Sequence, residues 1–328
     1  MKVTVVVPVY NGADYIVRCL ESLRRQTFRD FTVLLVNDGS KDRSAEVIQR
    51  YAREHPERPL ELISQENRGV AETRNSAIER CETPYIAFMD QDDALDPDYL
   101  ENYVRAIEET GADIVCGGYR RMDPESGKVL RVVRLNQDPW AKFVVVSPWA
   151  HLYRTSFLQE NPVRFLKTPI GEDVYFTLMA YSHTEKITVI PDTGYQWIDN
   201  PKSHSNSNQR AVSDGIDPFI LLDALHRDLP ERGFIPREYL EYYLYRYIIW
   251  YVMFTVRRTP RSMILKQYGR LTDWLSVRFP RFSRNRMISL FRPKGEPLSV
   301  RLPVWGFNLL YRLRLDKPLL SILSAGER

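Results

Sequence analysis

Three cysteines in 328 residues, Cys19, Cys81 and Cys116, are too few and too widely spaced for a disulfide framework or a zinc site. They fit a reducing, cytoplasmic compartment. No G-x-G-x-x-G follows the first apolar run, which argues against a dinucleotide site of the Rossmann kind. No G-x-x-x-x-G-K-S/T is present, which excludes a P-loop NTPase, and no G-x-S-x-G, which removes the nucleophile elbow. The opening apolar stretch ends at Pro8, too short for the core of a secretion signal, so secretion is not expected. The most apolar segment, Tyr242 to Val256, is interrupted by Arg246 and ended by Arg257-Arg258. It falls short of the roughly 20 residues a membrane span needs and reads as a buried core helix before a membrane-surface one. There is no internal repeat and no low-complexity tract.

What is present is ordinary in amount and uneven in placement. A hydrophobic fraction of 44% with 27% charged residues is that of a globular chain, which sets disorder aside. The net charge of +4 hides an asymmetry. Arg257 to Arg328 holds roughly 16 basic against roughly 4 acidic residues, near +12, which leaves the preceding part near −8. A basic tail on an acidic body suits a polyanionic partner: phospholipid head groups, an anionic polymer or nucleic acid. A solvated basic face is the plain alternative, and no recognised nucleic-acid motif accompanies the tail.

The first hundred residues alternate strand and helix. Thr4 to Val9 is a β-branched run of the kind a buried parallel strand shows. Ile16, Cys19, Leu20 and Leu23 recur on one helical face. Strands follow at Thr32–Val36, Leu60–Ile63 and Tyr85–Met89, with helices at Ser44–Arg53 and Val70–Glu79. Asp96 is expected to cap a helix with Pro97 at its first position. Repeated β-α units predict an α/β fold with a mostly parallel sheet covered by helices. Further on, Asp123–Lys128 reads as a turn between strands, Trp149–Asn161 as helical, Val174–Tyr181 as a helix behind Gly171-Glu172-Asp173, and Ile187–Ile190 as a strand. Asn200–Arg210 reads as a mobile loop, and the chain from Asp217 onward as mainly helix.

Ligands of parallel α/β sheets bind at the carboxyl ends of the strands. Three ends here carry polar groups: Pro8-Val9-Tyr10-Asn11-Gly12, Asp38-Gly39-Ser40 and Asp90-Gln91-Asp92-Asp93. Turn chemistry explains any one of them; three on one edge favour a site. Asp90-x-Asp92 behind a strand can bind Mn²⁺ or Mg²⁺ shared with substrate phosphates. An EF-hand fails, because Leu95 replaces the obligatory glycine and Ala94 a ligand.

At these residues the chain resembles a family 2 glycosyltransferase of the GT-A fold. The likeness runs from Val3 to about Ser207 and rests on VVVPVYNGADYIVRCLESLRRQT, VNDGSKDRS, NRGVAETRNSAI, YIAFMDQDD and GEDVYF, in the family's order and spacing. It implies a GT-A catalytic domain over residues 1–210 and a helical, basic C-terminal region over 211–328. It implies that Pro8, Tyr10 and Asp38 hold the nucleotide base, Asn67, Gly69 and Arg74 complete the nucleotide pocket, and Asp90 faces the ribose. Asp92 would bind the metal, with His204 as a further metal or phosphate ligand, and Asp173 would be the catalytic base. Trp149 and Glu172 are acceptor-side candidates, with His151 beside them. The implied reaction is inverting transfer from a nucleotide sugar, UDP-linked by family preference, to a surface glycan, an anionic wall polymer or a lipid-linked acceptor. Nothing after about Arg210 matches the common pattern. That region would serve the acceptor, homo-oligomer formation, or peripheral contact with the inner face of a membrane. A non-catalytic binding module on the same fold and a nucleotidyltransferase are the rival readings. The retained acids argue against the first. The second would call for a basic phosphate-gripping loop where Tyr10-Asn11-Gly12-Ala13-Asp14 stands.

Overall fold

A computed structural model describes residues 1–57, 60–200, 211–212 and 216–325. The chain divides into two units: Met1–Asn136 with Val145–Lys167 and Gly171–Asn200, and Gln137–Val144 with Thr168–Ile170 and Pro201–Arg328.

The first unit is built on a seven-stranded sheet. Its strands are β1 (Val3–Val9), β2 (Phe31–Asp38), β3 (Leu60–Gln65), β4 (Tyr85–Phe88), β6 (Ile114–Cys116), β9 (His151–Arg154) and β10 (Ile187–Val189), in the order β10-β6-β9-β4-β1-β2-β3. Valines at positions 3, 5, 6, 7 and 9 are fully buried, as a central strand flanked on both sides requires. Pro8 cannot donate to a ladder, and the pairing of β1 with β4 stops at Val6↔Phe88, before it is reached. β1, β2, β3 and β4 run parallel, so their carboxyl ends share one edge. α1 (Ile16–Arg24), α2 (Ser44–Glu54) and α3 (Val70–Arg80) connect them.

Two expectations are corrected here. The segment from Trp149 is not helical throughout: His151–Arg154 is the strand β9, antiparallel to both β4 and β6, and only Thr155–Glu160 (α5) is helix. Completing the sheet between two strands outweighs the local helical pattern. Nor does Asp96 cap α4, which begins at Tyr99 and ends at Thr110. β5 (Ala94–Leu95) precedes it, and the Asp96 carboxylate is taken by Arg120 and by Gln196 Nε2 (2.6 Å).

A second sheet, in the order β5-β11-β7-β8, joins β5 to β11 (Tyr195–Ile198), β7 (Tyr119–Met122) and β8 (Val129–Val133). The expected turn joins β7 to β8, with Gly127 at φ +65°. α6 (Glu172–His183) follows Gly171, which sits at φ +77°.

The second unit is helical: α7 (Pro218–Asp228), α8 (Arg237–Thr255), α9 (Arg261–Arg278), α10 (Leu298–Leu313) and α11 (Asp316–Leu323). Asp217 caps α7 by accepting from Phe219 N (3.0 Å). The apolar segment lies in α8, where Tyr242, Tyr245, Ile248 and Val252 are buried. Arg246, the charge that breaks the run, forms a buried ion pair with Glu296 (2.9 Å), and Trp140 Nε1 donates to the same carboxylate at 2.9 Å. Among the described residues no helix is long and apolar enough to cross a membrane.

Candidate functional site

The loops after β1 and β2 are laced together by short polar bonds. Asn11, at φ +49°, accepts from Lys41 N through Oδ1 (2.8 Å), and its own N–H donates to Ser40 Oγ (3.0 Å). Gly12 N donates to Ser44 Oγ (2.8 Å) and Ala13 N to Asp42 Oδ2 (3.0 Å). From the loop after β4, the Gln91 amide clasps Tyr10 on both sides, accepting from its N–H (3.1 Å) and donating to its carbonyl (3.0 Å). A Cβ at Gly12 would stand 2.0 Å from Gln91 Oε1, so a larger residue there would push the Gln91 amide off Tyr10. Tyr10 is left exposed, its ring available to a partner.

Asp38, at the end of β2, is buried and already engaged. Oδ1 accepts from Gln65 Nε2 (2.9 Å) and Arg68 N (2.8 Å), and Oδ2 from Gly69 N (2.8 Å). A carboxylate has about four acceptor positions, so roughly one remains for a ligand. The carboxylate therefore fixes the turn before α3, where Gly69 adopts φ +89° and Asn67 lies exposed. Gly39 is required here too, because a Cβ would come within 2.8 Å of Asn67 N.

α3 carries Arg74 into the site. Its guanidinium is buried, pairs with Asp90 Oδ1 (2.7 Å) and lies 5.2 Å from the Phe165 ring. The ring is held by Asn75, which accepts from Phe165 N (2.7 Å) and donates to its carbonyl (2.9 Å), and it stacks on Phe176 of α6 at 3.9 Å. Arg74 also acts on Asp173, at the start of α6. Burial and then the Glu172 charge push the Asp173 carboxyl up to about 7, while a hydrogen bond from Val174 N and the Arg74 charge oppose the rise. Asp173 remains partly exposed.

The three acids after β4 have three different surroundings. Asp90 faces Arg74. Asp92 is half-buried; burial and the Asp90 charge raise its carboxyl, against a hydrogen bond from Asn200 Nδ2 (3.0 Å). Arg18 of α1 donates to the Asp92 carbonyl (2.6 Å). Asp93 points inward, buried, accepting from Tyr195 Oη (2.6 Å) and Ile198 N (2.9 Å), and burial drives its carboxyl well up. Tyr195 Oη also accepts from Asp90 N (3.3 Å), tying β11 to the acidic loop. Among the described residues no three His, Cys, Asp or Glu side chains are grouped to hold a metal. Asp92 fits a hard cation in a narrower sense. Two repelling carboxylates favour one, and Mg²⁺ or Mn²⁺ needs only one or two protein oxygens when phosphates supply others.

Trp149, expected from the sequence on the acceptor side, is half-buried, stacks on Tyr195 (4.5 Å) and meets Tyr119 edge-on (5.1 Å). Trp197 lies 6.4 Å from Trp149, under the Arg121 guanidinium. His151 is fully buried: Nδ1 donates to the Trp149 carbonyl (2.8 Å), so Nε2 accepts from Tyr181 Oη (2.7 Å). Burial lowers it to about 4, and a neutral imidazole with both nitrogens engaged is a support for the Trp149 turn. His204 lies outside the described residues. Sequence reasoning missed Gln91, Asp93 and Tyr195. The run Asp90-Gln91-Asp92-Asp93 carries no periodic signal to say which acid turns inward.

Residues 4–178 match the family model described as Glycosyl transferase family 2. The chain is 31% identical over 214 residues to glycosyltransferase GlyA of Streptococcus pneumoniae, a match spanning 60% of this chain and 30% of that protein. It is 28% identical over 246 residues to the poly(ribitol-phosphate) beta-N-acetylglucosaminyltransferase TarS of Staphylococcus aureus, spanning 70% of this chain and 42% of that one. The matches thus cover less than half of either relative. The crystal structure of S. aureus TarS 1-349 in complex with UDP-GlcNAc superimposes with a TM-score of 0.67 at 20% identity, over 96% of this chain and 92% of that one. That of GalNAc-T7 with UDP, GalNAc and Mn²⁺ does so with a TM-score of 0.54 at 12% identity, over 76% and 51%. Both likenesses show the GT-A fold.

Proposed function

The chain belongs to glycosyl transferase family 2, and from that membership we propose that it transfers a sugar, with inversion, from a UDP-sugar to a hydroxyl of a surface glycan, wall polymer or lipid-linked acceptor. The observation that carries the reading is the Arg74 guanidinium, which grips Asp90 and reaches Asp173 electrostatically. A nucleotide subsite and a carboxyl poised near neutrality are thereby coupled through one buried charge.

In this reading the Tyr10 ring packs on the uracil, and Asp38 offers its remaining acceptor position to the N3–H. Pro8, Asn67 and Gly69 shape the same pocket, and Asp90 meets the ribose. Asp92 would hold Mn²⁺ or Mg²⁺, which when bound offsets the charge growing on the departing diphosphate. Asp173, ionised, takes the proton of the attacking acceptor hydroxyl as that oxygen displaces the nucleotide from the anomeric carbon. Glu172 raises the affinity of Asp173 for that proton. The half-buried Trp149 and Trp197 offer ring faces against which acceptor sugars pack. N-acetylglucosamine as the donor sugar and an anionic wall polymer as the acceptor draw on the likeness to TarS. We assign the catalytic role to residues 1–210 and a supporting one to residues 211–328.

A thermal-shift panel of UDP-, dTDP- and GDP-sugars, each with and without Mn²⁺, tests the donor class. A ligand bound only by the native state at a hundredfold excess over its Kd adds about 2.7 kcal/mol. A manganese-dependent rise with one UDP-sugar is expected. No rise with any donor, in folded protein, would sink the reading.

A further inference from the structure

Helix α10 carries a second apolar stripe on its exposed side. Leu298, Leu302, Trp305, Leu309 and Leu313 are spaced by 4, 3, 4 and 4 residues, which keeps them within about 80° of one another around the helix. The four leucines are exposed, Leu302 at 52% and Leu313 at 57%, and Trp305 is half-buried. The opposite side of the same helix, Val304, Phe307 and Asn308, is buried against its own unit. The chain then turns at Arg314, at φ +60°, and Leu315, just before α11, and Ile322 within it are again exposed, Ile322 at 80%. Arg312, Arg314 and Lys317 are exposed beside them, and among the described residues none of the three forms an ion pair.

We propose that this α10–α11 face is a membrane-interface surface that seats its leucines at the boundary between head groups and acyl chains of an anionic bilayer, with Arg312, Arg314 and Lys317 on the lipid phosphates. The chemistry selects this occupant. A helix lying in the interface has an apolar stripe rimmed by Lys and Arg, and its binding adds apolar burial to attraction for anionic lipid. A hydrated polyanion would answer the charges and leave the leucine stripe in water. A second copy would cover the leucines, but it would bring together two segments that are each near +12 and would supply no anion for Arg312, Arg314 and Lys317. The surface lies wholly within the second unit, and the inference does not depend on the reaction proposed above.

The test is flotation of the full chain with vesicles of phosphatidylcholine alone and of phosphatidylcholine with phosphatidylglycerol at equal parts. Binding to the anionic vesicles alone is expected. Leu302→Gln with Leu309→Gln, a pair that leaves charge unchanged, should weaken it by at least about tenfold, as should Arg312→Gln with Lys317→Gln. Insertion is read separately on Leu309→Cys carrying an environment-sensitive fluorophore. The label is selective because Cys19, Cys81 and Cys116 are buried. Its emission should shift to the blue with anionic vesicles. Binding that ignores the leucines, or a label that stays in water, would show a purely electrostatic contact and overturn the proposal. Leucine variants that turn an oligomer into a monomer without vesicle binding by either form would assign the face to self-association and overturn it equally.

Discussion

At the scale of single residues, Asp173 answers two opposed demands. As the proposed base it would have to be ionised when the acceptor arrives; as a half-buried group beside Glu172 it resists ionisation, and its carboxyl stands near 7. The activity should therefore rise with pH on an acid limb centred near 7. Asp173→Asn should lower kcat by roughly a hundredfold or more while leaving UDP affinity by calorimetry unchanged. The sign for stability runs the other way. A carboxyl raised above its unfolded value of about 3.9 contributes fully below that value, and its contribution is lost as pH climbs toward 7. The Asn variant should thus melt with the wild type near pH 4 and a few degrees above it at pH 8. A variant that melts lower at both values would contradict the burial argument. Asp173, Asp90 and Asp92 were legible in the sequence because an acid at a strand end or helix start is a local signal. Asp93 and Tyr195 were not, because what makes them partners is a contact across about a hundred residues.

At the scale of elements, the turn between β3 and α3 depends on Asp38 more than on its own residues. That carboxylate accepts from Arg68 N, Gly69 N and the Gln65 amide. Asp38→Ala should destabilise the protein by about 2–3 kcal/mol in urea with no nucleotide present, since part-buried donors lose their acceptor. The loss of UDP affinity should come on top of that. If stability were unchanged and only affinity fell, Asp38 would be a base contact and not a clamp. β1 to β4 and α1 to α3 were readable because each follows its own period and ends at its own breaker. β9 was not: His-Leu-Tyr-Arg is a strand because β4 and β6 leave a place for one, and Ala150 enters it at φ +55°.

At the scale of the whole molecule, the two units interleave along the chain, and that limits where it can be cut. The chain leaves the first unit at Asn136, contributes Gln137–Val144 to the second, and returns at Val145. Trp140 and Phe143 in that segment are fully buried, stacked at 4.9 Å, with Tyr242 edge-on to Trp140 at 4.9 Å and Arg246 donating to the Phe143 carbonyl at 3.3 Å. No composition shift marks the excursion, so a boundary placed at Arg210 leaves Gln137–Val144 with the first part of the chain. A fragment ending at Arg210 keeps both aromatic rings and loses Tyr242, Arg246 and Glu296. Burying a Trp and a Phe is worth about 1.5–3 kcal/mol or more each, so two bare rings side by side make an association site. The fragment should bind a hydrophobic dye strongly and elute as aggregate. The same fragment with Trp140→Ser and Phe143→Ser should recover a monomer peak. Recovery would separate loss of cover from loss of fold. If aggregation persisted in the doubly substituted fragment, the first unit would need the helical unit for its own folding, and a dead truncation would then say nothing about where the acceptor binds.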